Sequence, residues 1–201
     1  MKHDKMLPRI YLLKAGSILR DQAGNILDAR SSVTLIESER GKIIVDTGQV
    51  GDGEEILKAL KKLGLEQSDI DIIVNTHSHS DHCANNHLFR RAEVIFPADG
   101  ELIAPGVRIL ATPGHSLDSI SLVVDSVIHP PEGDGIAPET RRVVIARDAL
   151  PTLGNFQKRV PPAVHCDRAL AVASMNKIIE MADMVIPGHD RPFSVRSRCQ
   201  E

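Results

Sequence analysis

The chain has 201 residues, 42% hydrophobic and 2% aromatic with no Trp, so its core must be built from Ile, Leu, Val and Ala. A formal net charge of -3 lacks the basic excess of a nucleic-acid binder, and three widely spaced Cys (Cys83, Cys166, Cys199) argue against a disulfide framework. No stretch approaches the roughly 20 apolar residues that cross a membrane, and Met1 to Pro8 is polar and charged, so the expectation is a single cytoplasmic domain over 1–201.

Arg9 to Leu13 reads as a short strand. Ser32 to Glu37 and Lys42 to Val45 read as strands joined by a turn at Arg40-Gly41, and Asp46-Thr47-Gly48 ends the second. Glu54 to Leu63 carries Ile56, Leu57, Leu60 and Leu63 at helical spacing and stops at Gly64. Ile70 to Asn75 is a largely buried strand that runs directly into Thr76-His77-Ser78-His79-Ser80-Asp81-His82. Asn85 to Arg90 is expected to start a short helix, and Ala92 to Phe96 and Val107 to Thr112 are strands. Ser119 to Asp125 alternates as a strand, and 129–140, rich in Pro and Gly, is a loop. Arg142 to Ala146 is a strand that leads to Asp148, Cys166 to Met181 is a helix, and Met184 to Pro187 is a last strand before Gly188-His189. Strands dominate and helices fall between groups of them, which suits two packed sheets with helices outside.

The His-rich run carries the chemistry. Imidazole and carboxylate are ordinary ligands of zinc and also suit iron and manganese. On extended backbone residues two apart point the same way, so His77 and His79 can reach one ion. Asp81 and His82 follow where the loop turns into a helix and can aim at a second. Three imidazoles and a carboxylate within six residues gain little as core or surface. His115 in Thr112-Pro113-Gly114-His115, Asp148 and His189 in Pro187-Gly188-His189 are further ligand types just after strands. They would share one rim if their strands share a sheet edge.

The chain resembles the metallo-β-lactamase-fold hydrolases through Asp46-Thr47-Gly48, Thr76 to His82, Thr112 to His115, Arg147-Asp148 and Pro187 to His189. The resemblance implies an α+β fold, an αββα sandwich with two mixed sheets face to face. It implies one metal site of His77, His79 and His115, a second of Asp81, His82 and His189, and Asp148 bridging both. Asp46 looks like the acid that orients the His-rich loop. Two divalent ions follow, zinc first, with iron or manganese as alternatives. The implied reaction is attack by a metal-bound hydroxide on an ester, thioester, lactone or phosphodiester, with Asp81 or Asp148 orienting it and passing a proton. One departure is Arg147, where the family often has Gly before the bridging acid.

The substrate is expected to be a small molecule, with no membrane or nucleic-acid partner and a homodimer as an open option. The bridging acid argues against β-lactams, and an extra C-terminal domain of the glyoxalase-II kind is not expected. The tyrosine associated with lactonases of this fold has no evident counterpart, since Tyr11 lies near the N-terminus. The competing class is a mononuclear iron dioxygenase resembling those that act on persulfides. The segments 129–140 and 152–162 are candidates for the substrate pocket. Cys83 reads as a small buried residue, His87 as helix surface or ligand support, and Arg191 as surface. His129 and His165 could border the site, and Asp190 could either hold a ligand His or sit in its turn.

Overall fold

Alternation along the strands divides their side chains between two faces, and the fold buries both. The computed structural model describes residues 7–128 and 139–196. In chain order it runs β1 (Arg9–Lys14), β2 (Ser17–Arg20), β3 (Ile26–Arg30), β4 (Val33–Ser38), β5 (Gly41–Val45), α1 (Gly53–Lys62), β6 (Ile72–Val74), α2 (Ser80–Cys83) and β7 (Glu93–Ile95). It continues through β8 (Leu102–Ala104), β9 (Val107–Ala111), β10 (Ile120–Ile128), β11 (Glu139–Arg147), α3 (Leu153–Lys158), α4 (Arg168–Met181), β12 (Met184–Pro187) and β13 (Phe193–Ser194).

Two mixed sheets form, ordered β1-β4-β5-β6-β7 and β13-β12-β11-β10-β9-β8, with β2 and β3 as a separate hairpin. Their facing sides share one apolar cluster, in which Ile36, Ile43 and Val45 of the first sheet meet Ile109, Leu122 and Ile145 of the second. The alternate residues point outward under helices. Leu35, Ile44 and Ile73 pack with Ile56 and Leu60 of α1. Val123, Val144 and Val185 pack with Met175, Ile178 and Ile179 of α4. The expected αββα sandwich is therefore present, helix on sheet on sheet on helix.

Several local expectations are corrected. The short helix at Asn85 is only a 3-10 turn over Asn86–Leu88, and the helical turn lies earlier, at Ser80–Cys83. Asn85 is held elsewhere: its Nδ2 donates to the carbonyls of Thr47 and Gln49 at 2.7 and 2.8 Å. The strands β10 and β11 run longer than alternation suggested, so Glu139 and Thr140 pair with Ile128 and Val127 rather than lying in a loop. The rest of the 129–140 segment, with His129, falls outside the described residues. The segment 152–162 contains α3, started by Thr152, whose hydroxyl accepts from Asn155 N at 3.2 Å. The β2–β3 hairpin, turned at Asp21–Asn25, had no expectation at all.

Gly114 places the turn after β9 against α4. Its φ is +133°, and a Cβ there would collide with the backbone nitrogen of Ala171. Gly114→Ala should lower stability by about 1–3 kcal/mol through strain and overpacking. Urea denaturation checks this, and an unchanged midpoint would show the turn to be free of α4.

Candidate metal centre

Strand direction gathers the ligand-type residues. β5 and β6 are parallel, β11 and β12 are parallel, and β9 runs with β11 through two antiparallel steps. The segments leaving β5, β6, β9, β11 and β12 carry Asp46, the His-rich run, His115, Asp148 and His189, and the hydrogen bonds below join them at one edge of the sandwich. Three sets bring one ligand atom per residue within 4.8 Å of one another: His77, His79, His115; His77, His82, Asp148; and Asp81, His82, His189. All seven residues that the sequence singled out are brought together.

The inner atoms face each other closely. His79 Nδ1 lies 3.0 Å from His77 Nε2 and 2.9 Å from His115 Nε2. Asp148 Oδ1 is 3.4 Å from His82 Nε2 and 3.1 Å from His189 Nε2, while its Oδ2 is 3.4 Å from His115 Nε2 and 3.2 Å from His189 Nε2. Asp81 Oδ2 stands 3.6 Å from His82 Nε2 and 3.8 Å from His189 Nε2.

The outer nitrogens are fixed by donation. His115 Nδ1 donates to the Val164 carbonyl at 2.8 Å, and His189 Nδ1 to that of Arg30 at 3.0 Å. His82 Nδ1 donates to Asp46 Oδ2 at 2.7 Å. Each such bond leaves the neutral ring's Nε2 as a lone pair aimed inward.

These inner atoms fit a cation. His82 Nε2 and Asp148 Oδ1 are buried without a hydrogen-bond partner, a costly state for polar atoms. Lone pairs of His77, His79 and His115 converge with at most one proton to share between neighbours. The ligand-type atoms of each set lie within 4.8 Å of one another, near enough for one ion to be shared among them. The donor set of imidazoles and carboxylates suits zinc, iron or manganese.

Electrostatics of the ion-free cluster follow from its depth. Burial works against charge on His82, but Asp46 and Asp148 outweigh it and push the imidazole up to about 10. Burial and the neighbouring His82 push His77 down to about 3. Asp148 is buried, yet His82 and His189 hold it well below the usual carboxylate range. Asp46 is likewise held low against its burial by His82 and Arg147.

Several supporting residues escaped the sequence. Arg147, with φ +47° and 1% exposed, turns inward. Its Nε lies 2.9 Å from Asp46 Oδ2, and Nη2 donates to Val45 O at 2.7 Å and to Thr34 Oγ1 at 3.0 Å. Nη1 donates to Ser32 Oγ. Arg30 to Ser32 straps the rim: Ser31 Oγ donates to Asp81 O at 2.6 Å and Ser32 Oγ to Pro187 O at 2.6 Å. The one available signal was Arg147 itself, an arginine where the resembling family has glycine.

Other candidates fall away. Cys83 is partly exposed rather than buried, its Sγ donates to His79 O at 3.3 Å, and burial pushes its thiol up, away from thiolate chemistry. His87 is exposed, and His165 Nδ1 bonds Pro162 O at 2.7 Å. Asp190 sits in its turn, accepting from Leu153 N and Arg191 N at 3.1 and 2.8 Å. Arg191 is exposed.

A cavity of about 680 Å³ opens in front of the cluster and reaches His79, Asp81, His115, Asp148 and His189. Residues from 152–162 line it, as expected, together with the unforeseen hairpin.

The protein's likenesses agree with this geometry. A family model described as the metallo-beta-lactamase superfamily matches residues 28–98. The "Probable metallo-hydrolase" of Methanocaldococcus jannaschii is 33% identical over 192 residues, covering 90% of this chain and 86% of the relative. An N-acyl homoserine lactonase of Bacillus cereus is 26% identical over 245 residues, covering 90% of this chain and 93% of the relative. A crystal structure of a Thermotoga maritima protein assigned to the metallo-beta-lactamases superposes with a TM-score of 0.70 over 94% of this chain and 99% of that one, at 20% identity. With this fold, this cluster of imidazoles and carboxylates and these relatives, the chain is a metal-dependent hydrolase and belongs to the metallo-beta-lactamase superfamily.

Proposed function

We infer that the protein is a dinuclear hydrolase of an ester, thioester, lactone or phosphodiester. The observation that carries this is Asp148, which stands between both groups of imidazoles, with Oδ1 toward His82, Oδ2 toward His115 and His189 near both oxygens. His77, His79 and His115 would hold one ion, Asp81, His82 and His189 the other, and Asp148 both. Zinc suits this set best among the ions named above. Bound there, such ions would act as Lewis acids and bring the pKa of water down to near neutrality.

The chain's own groups do the rest. The Val164 and Arg30 carbonyls and Asp46 keep His115, His189 and His82 in the tautomer that presents Nε2. Asp81, the more open carboxylate, reaches the cavity and is suited to carry a proton toward a leaving group. Apolar walls and the lactonase relative favour a carboxylic acyl substrate over a phosphodiester. Tyr11 donates to Glu37 Oε2 at 3.0 Å and does not line the cavity, so lactone hydrolysis here would proceed without a tyrosine.

Metal analysis with a panel of lactones, thioesters, phosphodiesters and β-lactams tests this reading. About two ions per chain and chelator-sensitive hydrolysis are expected, whereas one iron per chain with oxygen uptake would favour the dioxygenase. His79→Ala with His115→Ala should lose one ion and the activity, and unchanged metal content would refute the ligand assignment.

Ion uptake should also release protons. At neutral pH the ion-free cluster holds a proton on His82, whose pKa is pushed up to about 10, and none on His77, pushed down to about 3. An ion can bind only once His82 gives up that proton, so affinity rises with pH up to that value. His189 is also pushed up, against its burial, by its bond to Asp148, so calorimetry near neutral pH in buffers of different ionisation enthalpy should read at least about one proton released. A binding enthalpy independent of the buffer would contradict it.

Arg147 is the last point of attack. Arg147→Met leaves the buried Asp46 without its ion pair and should cost about 3–5 kcal/mol. Thermal unfolding of the metal-loaded variant reads the loss, and a wild-type Tm would show that Asp46 does not depend on Arg147.

A further inference from the structure

The cavity carries a second pattern besides its metal-ligand types. One wall is the β2–β3 hairpin, which offers Ile18, Ile26 and Arg20. Another is α3 and the chain after it, which offer Lys158, Val160 and Val164. Ile26, Val160 and Val164 line the cavity and are exposed, and give it apolar wall.

The polar groups of the second wall are occupied within it. Thr152 Oγ1 donates to Asn155 Oδ1 at 2.6 Å, and Asn155 Nδ2 donates to Pro161 O at 3.0 Å. Arg20 and Lys158 are different. Both are exposed, and Arg20 uses one donor, Nη1, on Gly24 O at 2.8 Å. Among the described residues neither is in an ion pair, and no acid lines the cavity except Asp81 and Asp148.

Two exposed cations on the walls of a largely apolar cavity that reaches a cluster of metal-ligand types suit one shape of ligand. Its reacting bond lies at the cage, its middle is apolar and its outer end is an oxyanion. We propose that the substrate is an ester, thioester or lactone whose apolar body ends in a carboxylate or phosphate held by Arg20 and Lys158. The proposal rests on the hydrolytic reading of the cage given above. Arginine supplies a planar fork for such an oxyanion and lysine a point charge. Because both are exposed, they act through steering and ground-state capture, and salt weakens them.

The test uses metal-loaded protein and p-nitrophenyl esters of equal chain length ending in a carboxylate, a phosphate or a neutral methyl ester. Their uncleavable amides are measured by equilibrium binding. An anionic-ended ester should exceed the neutral one in kcat/KM by roughly 10-fold or more, through KM, and the gap should narrow as salt is raised. Arg20→Gln with Lys158→Gln should bring the ratio close to one, with metal content as the folding control. The anionic end that is preferred identifies the source of the oxyanion. Equal turnover of anionic and neutral esters, or a ratio unchanged in the double variant, overturns the proposal. If no ester is cleaved, the amides decide. Tighter binding of an anionic amide that is lost in the double variant upholds the two cations and refutes the hydrolytic reading instead. Equal binding of all three amides overturns the proposal.

Discussion

The buried carboxylate of Asp46 is the point through which the two sheets and the metal cage are coupled. It takes a backbone bond from Thr76 at 2.7 Å, a ring bond from His82 at 2.7 Å and the Arg147 guanidinium at 2.9 Å. Thr76 and His82 leave the first sheet, and Arg147 ends a strand of the second. A carboxylate with no exposed surface is tolerable only when such partners replace its water. The cost of burying it is offset by the order it imposes. The His-rich run can start only where Thr76 meets Asp46, and Asp148 follows directly on the arginine that pairs with it.

The rim obeys the same logic on a smaller scale. Imidazole rings rotate and exchange tautomers unless their outer nitrogens are tied. Here the ties are a carboxylate and two carbonyls, at Asp46, Arg30 and Val164. The strap from Arg30 to Ser32 also bonds Asp81, Pro187 and, through Ser32 N at 2.7 Å, the carbonyl of Gly188. One short extended segment therefore sets the position of two ligand-type residues that lie far apart in the chain. A site assembled in advance of its ion spends little of the binding free energy on ordering.

The cavity walls belong to a different layer of the molecule. The cage sits on strand ends, whereas the cavity walls are a hairpin outside both sheets and a short helix after β11. Such additions can change length and charge without disturbing the sandwich.

The division between sequence and structure follows from what each group must be. Short runs of Ile, Val and Leu in β4, β5 and β11 read as strands, and they are continuously apolar because one face packs on the partner sheet and the other under a helix. His77, His79, Asp81, His82, His115, Asp148 and His189 could be singled out because metal chemistry admits few residue types, and the fold brings them together. The hairpin at Ser17–Arg30 was not, since its short, exposed strands follow no apolar alternation. Neither was the inward turn of Arg147, which reads as surface until Asp46, Ser32 and Thr34 are seen around it. The carbonyls of Arg30 and Val164 could not have been read at all. Every residue carries a carbonyl, so only the tertiary structure decides which one meets a ligand's ring.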